Sequence, residues 1–187
     1  MDMVSANPEN KLIIRLAETK DWRIIRDVML KMLEDAPHAF GDTLAQAEAR
    51  EMNEWQQFTE QLTNTPHGCI FLAEDHRGVY GFVLGDTRLP QLPPATVIAA
   101  RLWVTPRQRG TGLGRKLMDT MTLWAEEQGM DQMYAGITET NLSVVKFFER
   151  LGYHDTGIRE QISGDWPRQI IVMARKLQRK LRDEVSR

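Results

Sequence analysis

The feature that most constrains the fold is an apolar run that leads into a glycine-rich turn and then directly into a helical pattern. Residues 95–104 are largely apolar, and glycine then recurs at Gly110, Gly112 and Gly114. Apolar residues at helical spacing continue over residues 112–128. A helix that begins at such a turn directs its free first-turn amides, with about half a positive charge, toward the turn. The segment therefore predicts an anion site, most naturally one for phosphate.

Cations surround this turn. Arg107, Arg109, Arg115 and Lys116 lie at the positive end of the predicted helix. Each opposes the helix dipole at a cost of about a few tenths of a kcal/mol, which an acidic ligand would offset. The alternative is a solvated glycine turn with incidental surface arginines.

Two common phosphate-binding motifs do not fit the turn. A P-loop requires a serine or threonine after Gly-Lys, whereas Gly114 is followed by Arg115 and Lys116. A dinucleotide-binding fingerprint requires Gly-x-Gly-x-x-Gly, and the glycines here alternate instead. No clear acidic residue ends a strand about 20 residues further on, where it would bind a ribose. Both motifs are excluded.

Strand and helix patterns alternate along the second half of the chain. The predicted strands are residues 11–17, 69–73, 79–85, 95–104, 132–138, 153–162 and 169–177. The predicted helices are residues 21–33, one or two within 40–62, then 112–128 and 142–151. This order predicts an α/β fold, with one mixed central β-sheet flanked by helices on both faces. The expected domain is 11–177, with a flexible leader at 1–10 and a polar tail at 178–187.

Composition excludes several classes of function. The 187 residues include 24 Lys+Arg and 26 Asp+Glu, for a net charge of −2, which gives no general attraction to nucleic acid or an anionic membrane. One cysteine allows no internal disulfide and favours a cytoplasmic location. No apolar stretch approaches the roughly 18 residues of a membrane span, and no secretory signal pattern begins the chain. The four histidines have no partners at metal-ligand spacing, so no metal is expected.

Two motifs resemble those of the Gcn5-related N-acetyltransferases (GNAT). The first is Val104-x-Pro106-x-x-Arg109-Gly110-x-Gly112-x-Gly114, and the second is Asn141-x-x-Val144-x-x-Phe147-Phe148-Glu149-Arg150-x-Gly152-Tyr153. The resemblance covers residues 95–157 well, and the order of elements agrees along the chain. It implies a single-domain GNAT-like fold and an acetyl-CoA-dependent N-acetyltransferase.

The resemblance also assigns residues to acetyl-CoA. The backbone of residues 102–104 would pair with the pantetheine arm, and the amides of 109–114 would hold the pyrophosphate. Asn141 would bind the pantetheine region; the alternative, a plain helix cap, is compatible with that role. The implied residues are Leu102, Trp103, Val104, Arg109, Gly110, Thr111, Gly112, Leu113, Gly114, Arg115, Asn141, Ser143 and Phe148. Residues 36–62, 86–95 and 162–169 would enclose the acceptor.

The chain departs from the family pattern at the proton-transfer residues. Many members have a tyrosine at the position of Phe148 and a glutamate on the strand of residues 95–104, which contains no carboxylate here. Glu139, just beyond a predicted strand, is the first candidate base, and Asp86 is the second. Tyr134 is a candidate acid, although a thiol with a pKa near 8.5 leaves without one.

The sequence therefore predicts direct transfer of an acetyl group from acetyl-CoA to a primary amine of a small molecule or peptide, in a ternary complex. Two alternatives stay open: transfer of a longer acyl group, and a CoA-binding module without catalysis. The oligomeric state is open between a monomer and a homodimer.

Overall fold

The computed structural model describes residues 11–88, 93–162 and 167–178. Its strands are β1 (Ile13–Leu16), β2 (Gly68–Asp75), β3 (Gly78–Asp86), β4 (Thr96–Val104), β5 (Gln132–Thr138), β6 (His154–Ile162) and β7 (Arg168–Lys176). Its helices are α1 (Trp22–Asp35), α2 (Leu44–Glu48), α3 (Met52–Thr63), α4 (Leu113–Glu127) and α5 (Leu142–Arg150). The predicted leader, all but the first residue of the predicted tail, and parts of the loops at 86–95 and 162–169 lie outside the described residues.

All seven strands form one sheet in the order β1-β2-β3-β4-β5-β7-β6. Only β4 and β5 pair in parallel, and every other neighbouring pair is antiparallel. The predicted mixed sheet and the predicted order of elements are thereby confirmed. The first strand is shorter than predicted, because only Ile13–Leu16 pair with β2.

Helices cover both faces of the sheet, as predicted. On one face α1 buries Ile25, Met29 and Met32, which recur at spacings of four and three, against β2 and β3. The polar stretch between α1 and β2 contains two helices, and Trp55 of α3 is almost fully buried in the same core. This face carries α1, α2 and α3.

The opposite face carries α4 and α5 in a second core. In α4, Leu117 and Met121 are fully buried one turn apart. Two glycines on β3 let α4 approach closely: a Cβ at Gly81 would lie 2.9 Å from Leu117 Cδ1, and one at Gly85 would lie 2.7 Å from Met121 Cε. No helix within the described ranges has the length and apolarity needed to cross a bilayer.

The parallel pair β4–β5 is closed at one end only. Thr96–Ile98 pair with Gln132–Tyr134, and no pairing continues beyond these three positions. On the β3 side of β4 the register shifts between Phe82 and Leu84, and Arg101 adopts a left-handed φ of 55° in this bulge. The two strands therefore open toward their C-terminal ends, and we call this opening the β4–β5 cleft.

Candidate functional site

A cavity of about 400 Å³ occupies the β4–β5 cleft. Val144 and Phe148 of α5 line it on one face of the sheet. Ala36, Ala39 and Phe40, which follow α1, line it on the other face. The cavity therefore connects the two faces through the sheet. Two ligands that enter from opposite faces can meet in the cleft.

Seven of the predicted acetyl-CoA residues line this cavity. They are Leu102, Trp103, Val104, Arg109, Asn141, Ser143 and Phe148. The other six, Gly110, Thr111, Gly112, Leu113, Gly114 and Arg115, continue from Arg109 into the first turn of α4. Two motifs about thirty residues apart in sequence are thus brought to one cleft.

The glycine turn (residues 109–114) has the backbone that its glycines predict. Gly110 and Gly112 have left-handed φ values of 78° and 87°, and a Cβ at either would meet no protein atom within 4 Å. Gly112 caps α4, and its carbonyl oxygen accepts from the Lys116 amide at 3.1 Å. The first amides of α4 have no acceptor inside the helix. Leu113 can contribute only its amide to a ligand, because its side chain is buried in the core.

Two of the six amides that were predicted to hold a pyrophosphate donate within the turn instead. The Arg109 amide donates to the Pro106 oxygen at 3.2 Å, and the Thr111 amide donates to the Gln108 oxygen at 3.4 Å. These bonds shape the turn. The first amides of α4 are therefore the better-placed donors to an anion.

Two of the cations near the turn, Arg109 and Arg115, contact neighbouring segments. Arg109 Nε donates to the Val104 oxygen at 3.0 Å, and its Nη2 forms an ion pair with Asp35. Arg115 Nη2 donates to the Arg150 oxygen at 3.1 Å, which joins the start of α4 to the end of α5.

Asp35 is a site residue that the sequence reasoning missed. It ends α1, and its Oδ2 accepts from Trp103 Nε1 at 2.8 Å as well as from Arg109. Asp35 thereby fixes the C-terminal end of α1 to both β4 and the glycine turn. No local pattern signals this contact, because Asp35 and Trp103 are 68 positions apart.

Asn141 caps α5 and also lines the cavity. Its Oδ1 accepts from Ser143 Oγ at 3.0 Å and from the Val144 amide at 3.4 Å. The cap role and a place beside a ligand are therefore compatible in this structure, as the sequence suggested.

Phe148 lines the cavity from within the core. Its ring makes edge-to-face contacts with Phe147 at 5.4 Å and with Tyr153 at 5.0 Å between centroids. Tyr153 is only 4% exposed, and its burial raises the pKa of its hydroxyl. The hydroxyl lies in the core without a hydrogen-bond partner and does not reach the cavity, so Tyr153 is not placed to protonate a thiolate there.

The three candidate catalytic residues do not meet at one point. Glu139 follows β5 directly, next to Thr138, which lines the cavity. Its amide donates to the Gln169 oxygen at 2.9 Å. With the Gln169 side-chain amide oriented to donate, its nitrogen lies 2.7 Å from Glu139 Oε2. Glu139 is exposed at the edge of the cleft.

Asp86 and Tyr134 lie outside the cavity. Asp86 is opposite Ile98, at the closed end of the cleft, and forms an ion pair with Arg88 at 2.8 Å. Burial acts to raise the pKa of Asp86, but hydrogen bonds from Arg88 outweigh it and the pKa is lowered. Tyr134 donates to Gln132 Oε1 at 3.0 Å and lines a separate cavity of about 280 Å³.

Thr138 is a second residue that the sequence reasoning missed. It lines the cavity, and its Oγ1 is buried without a hydrogen-bond partner. A buried hydroxyl that lacks a partner costs free energy, which a bound ligand with a polar atom at this point would recover.

The comparisons with known proteins agree with the fold. The sequence model of the acetyltransferase (GNAT) family matches residues 29–153, which is more than half of the chain. The chain belongs to the GNAT acetyltransferase family. The match spans the β4–β5 cleft, the glycine turn and α5.

Curated relatives are distant. The chain is 27% identical over 137 residues to a probable N-acetyltransferase, family 8 member 5, of Mus musculus, which covers 73% of this chain and 58% of the relative. It is 28% identical over 109 residues to an uncharacterized N-acetyltransferase of Schizosaccharomyces pombe, which covers 54% of this chain and 65% of the relative. The chain thus spans less than two thirds of either relative's length.

Solved GNAT structures share the fold over nearly the whole chain. The putative acetyltransferase yncA of Salmonella typhimurium, solved with acetyl-CoA, superposes with a TM-score of 0.72 at 20% identity, over 95% of this chain and all of that one. A phosphinothricin acetyltransferase of Sinorhizobium meliloti, also solved with acetyl-CoA, gives 0.71 at 20% identity over 89% and 88%. The ribosomal-protein-S18-alanine N-acetyltransferase of Escherichia coli gives 0.65 at 15% identity over 92% and 98%.

Proposed function

We propose that this protein transfers an acetyl group from acetyl-CoA to the primary amine of a small molecule or peptide. One observation carries the proposal: the β4–β5 cleft holds a cavity that opens to both faces of the sheet and adjoins the glycine turn. This arrangement lets a thioester and an amine approach each other from opposite sides. The family membership supports the acetyl transfer.

The chain's own groups suit a CoA thioester. The first amides of α4 and the turn's cations would attract the diphosphate. The edge of β4 beyond Ile98 no longer pairs with β5, so its backbone can hydrogen-bond an amide-containing arm as an added strand would. Asn141 and Phe148 then lie beside the part of the arm that reaches the cavity.

Direct attack in a ternary complex fits this geometry. The amine nitrogen forms a bond to the thioester carbonyl carbon, the carbon–sulfur bond breaks, and CoA leaves as a thiolate that takes up a proton. At pH 7 only about 10⁻³ to 10⁻⁴ of an alkyl amine is unprotonated, so removal of the ammonium proton matters. Among the described residues that line the cavity there is no carboxylate. We assign this proton transfer to Glu139 acting through water at the edge of the cleft.

The acceptor is a primary amine in this proposal. The names of two structural neighbours indicate different acceptors, phosphinothricin and an alanine of ribosomal protein S18. Both descriptions are compatible with attack by an amine, but they differ in size and class. The comparisons therefore support the reaction type. The class of acceptor has to be inferred from the residues that line the cleft.

A non-catalytic CoA-binding module is the second candidate, and the absence of a carboxylate among the described lining residues favours it. A thiol-release assay with acetyl-CoA across amino acids, amines, polyamines and peptides separates the two. Amine-dependent thiol release, with the acetylated amine identified by mass spectrometry, supports the transferase. Tight acetyl-CoA binding by calorimetry without release for any amine would support the module. A parallel series with longer acyl-CoA thioesters identifies the preferred acyl group.

A further inference from the structure

The charged side chains of the cavity wall are both cationic. Among the described residues that line the cavity, Arg101 and Arg109 are the charged ones. Arg109 is paired with Asp35 and belongs to the glycine turn. Arg101 lies on β4 just before Leu102, and the cavity that it lines is also lined by Ala39 and Phe40.

Arg101 shares one carboxylate with a second arginine. Asp42 Oδ2 is 2.8 Å from Arg101 Nη2 and 3.3 Å from Arg50 Nη2. All three side chains are only 21–26% exposed. Two guanidinium groups and one carboxylate leave a surplus positive charge in a partly desolvated place, where Coulomb interactions are stronger than in water.

The ion pair leaves hydrogen-bonding capacity unused. Although Arg101 Nη2 and Asp42 Oδ2 are within ion-pair distance, their angles are not those of a hydrogen bond, and Oδ2 has no hydrogen-bond partner. Arg101 Nη1 is also buried without a hydrogen-bond partner. The guanidinium of Arg101 is therefore attracted to Asp42 without being fixed by it in the fork geometry that arginine prefers with an oxyanion.

The backbone at Arg101 is strained. Its φ of 55° lies in the left-handed region, which costs a non-glycine residue about 1–2 kcal/mol. Arg101 and Leu102 together lie opposite Val83 in the bulge, so β4 carries an extra residue at this point. Residues held in such strained conformations cluster at ligand-binding sites, and Arg101 lines the cavity.

We propose that the acceptor is a small amine that also carries an oxyanion, a carboxylate or a phosphinate or phosphonate, and that Arg101 binds this group. The proposal rests on the proposed amine acetylation and deepens it. A bound oxyanion balances the surplus positive charge and supplies an acceptor for Arg101 Nη1, which has no hydrogen-bond partner. A polyamine adds further positive charge to a wall whose described lining residues include no carboxylate, so it is disfavoured.

Matched amines test the acceptor class on the wild-type protein. Each α-amino acid is compared with its own carboxamide, each ω-amino carboxylate with the diamine of equal length, and each carboxylate with the aminophosphonate analogue. The thiol-release kcat/KM is expected to be at least about tenfold higher for the oxyanion in each pair, the value of a charge-assisted hydrogen bond. The phosphonate arm identifies the preferred oxyanion.

Two kinds of failure are distinguishable in this panel. If amides or diamines react as well as the acids, or better, the acceptor class is wrong while the acetyltransferase activity stands. If no amine releases thiol, the proposed function fails and the acceptor class fails with it.

A variant locates the effect at Arg101. Arg101→Gln is expected to raise the KM for the preferred oxyanionic amine about 10- to 100-fold. It should change the KM for the matching amide and the Kd for acetyl-CoA less than about threefold. Arg26→Gln is the control, because Arg26 is exposed on α1 and pairs there with its neighbour Asp27. Arg101→Lys keeps the charge but removes the forked guanidinium geometry, so its KM for the oxyanionic amine should be intermediate.

Circular dichroism confirms that each variant is folded. A folded Arg101→Gln protein that keeps the wild-type preference for acid over amide overturns the role of Arg101. If Arg101→Gln does not fold, Arg101→Lys and the wild-type panel still decide the question, because neither requires removal of the buried positive charge.

Discussion

Two glycines at opposite ends of α4 allow a controlled test of the phosphate site, because the same substitution can be made at the site and away from it. Gly112 precedes the helix with a φ of 87°, and Gly129 follows it with a φ of 75°. A Cβ added at either would meet no protein atom within 4 Å. The variants Gly112→Asp and Gly129→Asp therefore make the same chemical change at the same kind of backbone position, and only one of them is at the proposed site.

The two variants should differ in stability in a known direction. A left-handed φ costs a non-glycine residue about 1–2 kcal/mol at both positions. The helix dipole stabilises an aspartate at the N-terminus of α4 and destabilises one at its C-terminus, each by about 0.3–1 kcal/mol. Urea denaturation should therefore show Gly129→Asp to be the less stable variant by about 0.6–2 kcal/mol.

Acetyl-CoA affinity should show the opposite order, with Gly112→Asp the weaker binder although it is the more stable variant. The aspartate at position 112 would place a negative charge where the diphosphate is expected, and two like charges about 4 Å apart repel by about 4 kcal/mol at an effective dielectric constant near 20. Solvent screening reduces this, so the Kd measured by calorimetry should rise at least about 100-fold. Gly129→Asp should bind acetyl-CoA within threefold of the wild type, since it lies at the far end of the helix.

Gly112→Asn separates charge from shape, because asparagine tolerates a left-handed φ and is uncharged. It should weaken binding less than aspartate does. If a folded Gly112→Asp protein binds acetyl-CoA as tightly as Gly129→Asp does, the diphosphate is not held at this turn and the reasoning is refuted.

Three further predictions concern residues that the structure singles out. Thr138→Val removes a buried hydroxyl that has no protein partner, so urea denaturation should show a change in the free energy of unfolding within about 1 kcal/mol. The kcat/KM should fall about tenfold, and an unchanged kcat/KM would show that the hydroxyl does not contact substrate. Asp35→Ala leaves the buried Trp103 indole without its acceptor and should lower the free energy of unfolding by about 2–3 kcal/mol, whereas a loss below about 0.5 kcal/mol would contradict the contact. Burial acts to raise the pKa of Asp21, but hydrogen bonds, chiefly from Arg15, outweigh it and lower the pKa below 3.8. The Asp21 carboxylate therefore stabilises the fold above about pH 4, and this stabilisation is lost as the pH falls through the folded-state pKa. Asp21→Asn should therefore cost about 3 kcal/mol at pH 7 and give a shallower loss of stability below about pH 4; parallel wild-type and variant curves would contradict this.

The sequence predicted the order of elements and the turn because both depend on local patterns. Leu117 and Met121 recur at helical spacing and are buried in α4. The glycines at positions 110 and 112 adopt the left-handed backbone that glycine accepts without steric cost. The family motifs then indicated residues 102–104 and Asn141, which the fold brings to one cavity.

The contacts of Asp35, Asp42 and Arg101 could not be predicted because they join residues that are distant in sequence. Nothing local indicates that Asp35 would meet Trp103, or that Asp42 would lie between two arginines. The left-handed φ of Arg101 has no sequence signature, since the bulge contains no glycine there. The divergence of β4 from β5 is likewise a property of the assembled sheet.

The crystal structure of the protein with bound acetyl-CoA tests the central claim most directly. The account predicts diphosphate oxygens within hydrogen-bonding distance of the first amides of α4, and a pantetheine arm along the open edge of β4 that ends beside Phe148. Acetyl-CoA bound elsewhere, with the glycine turn unchanged and the β4–β5 cleft filled only by solvent, would contradict it.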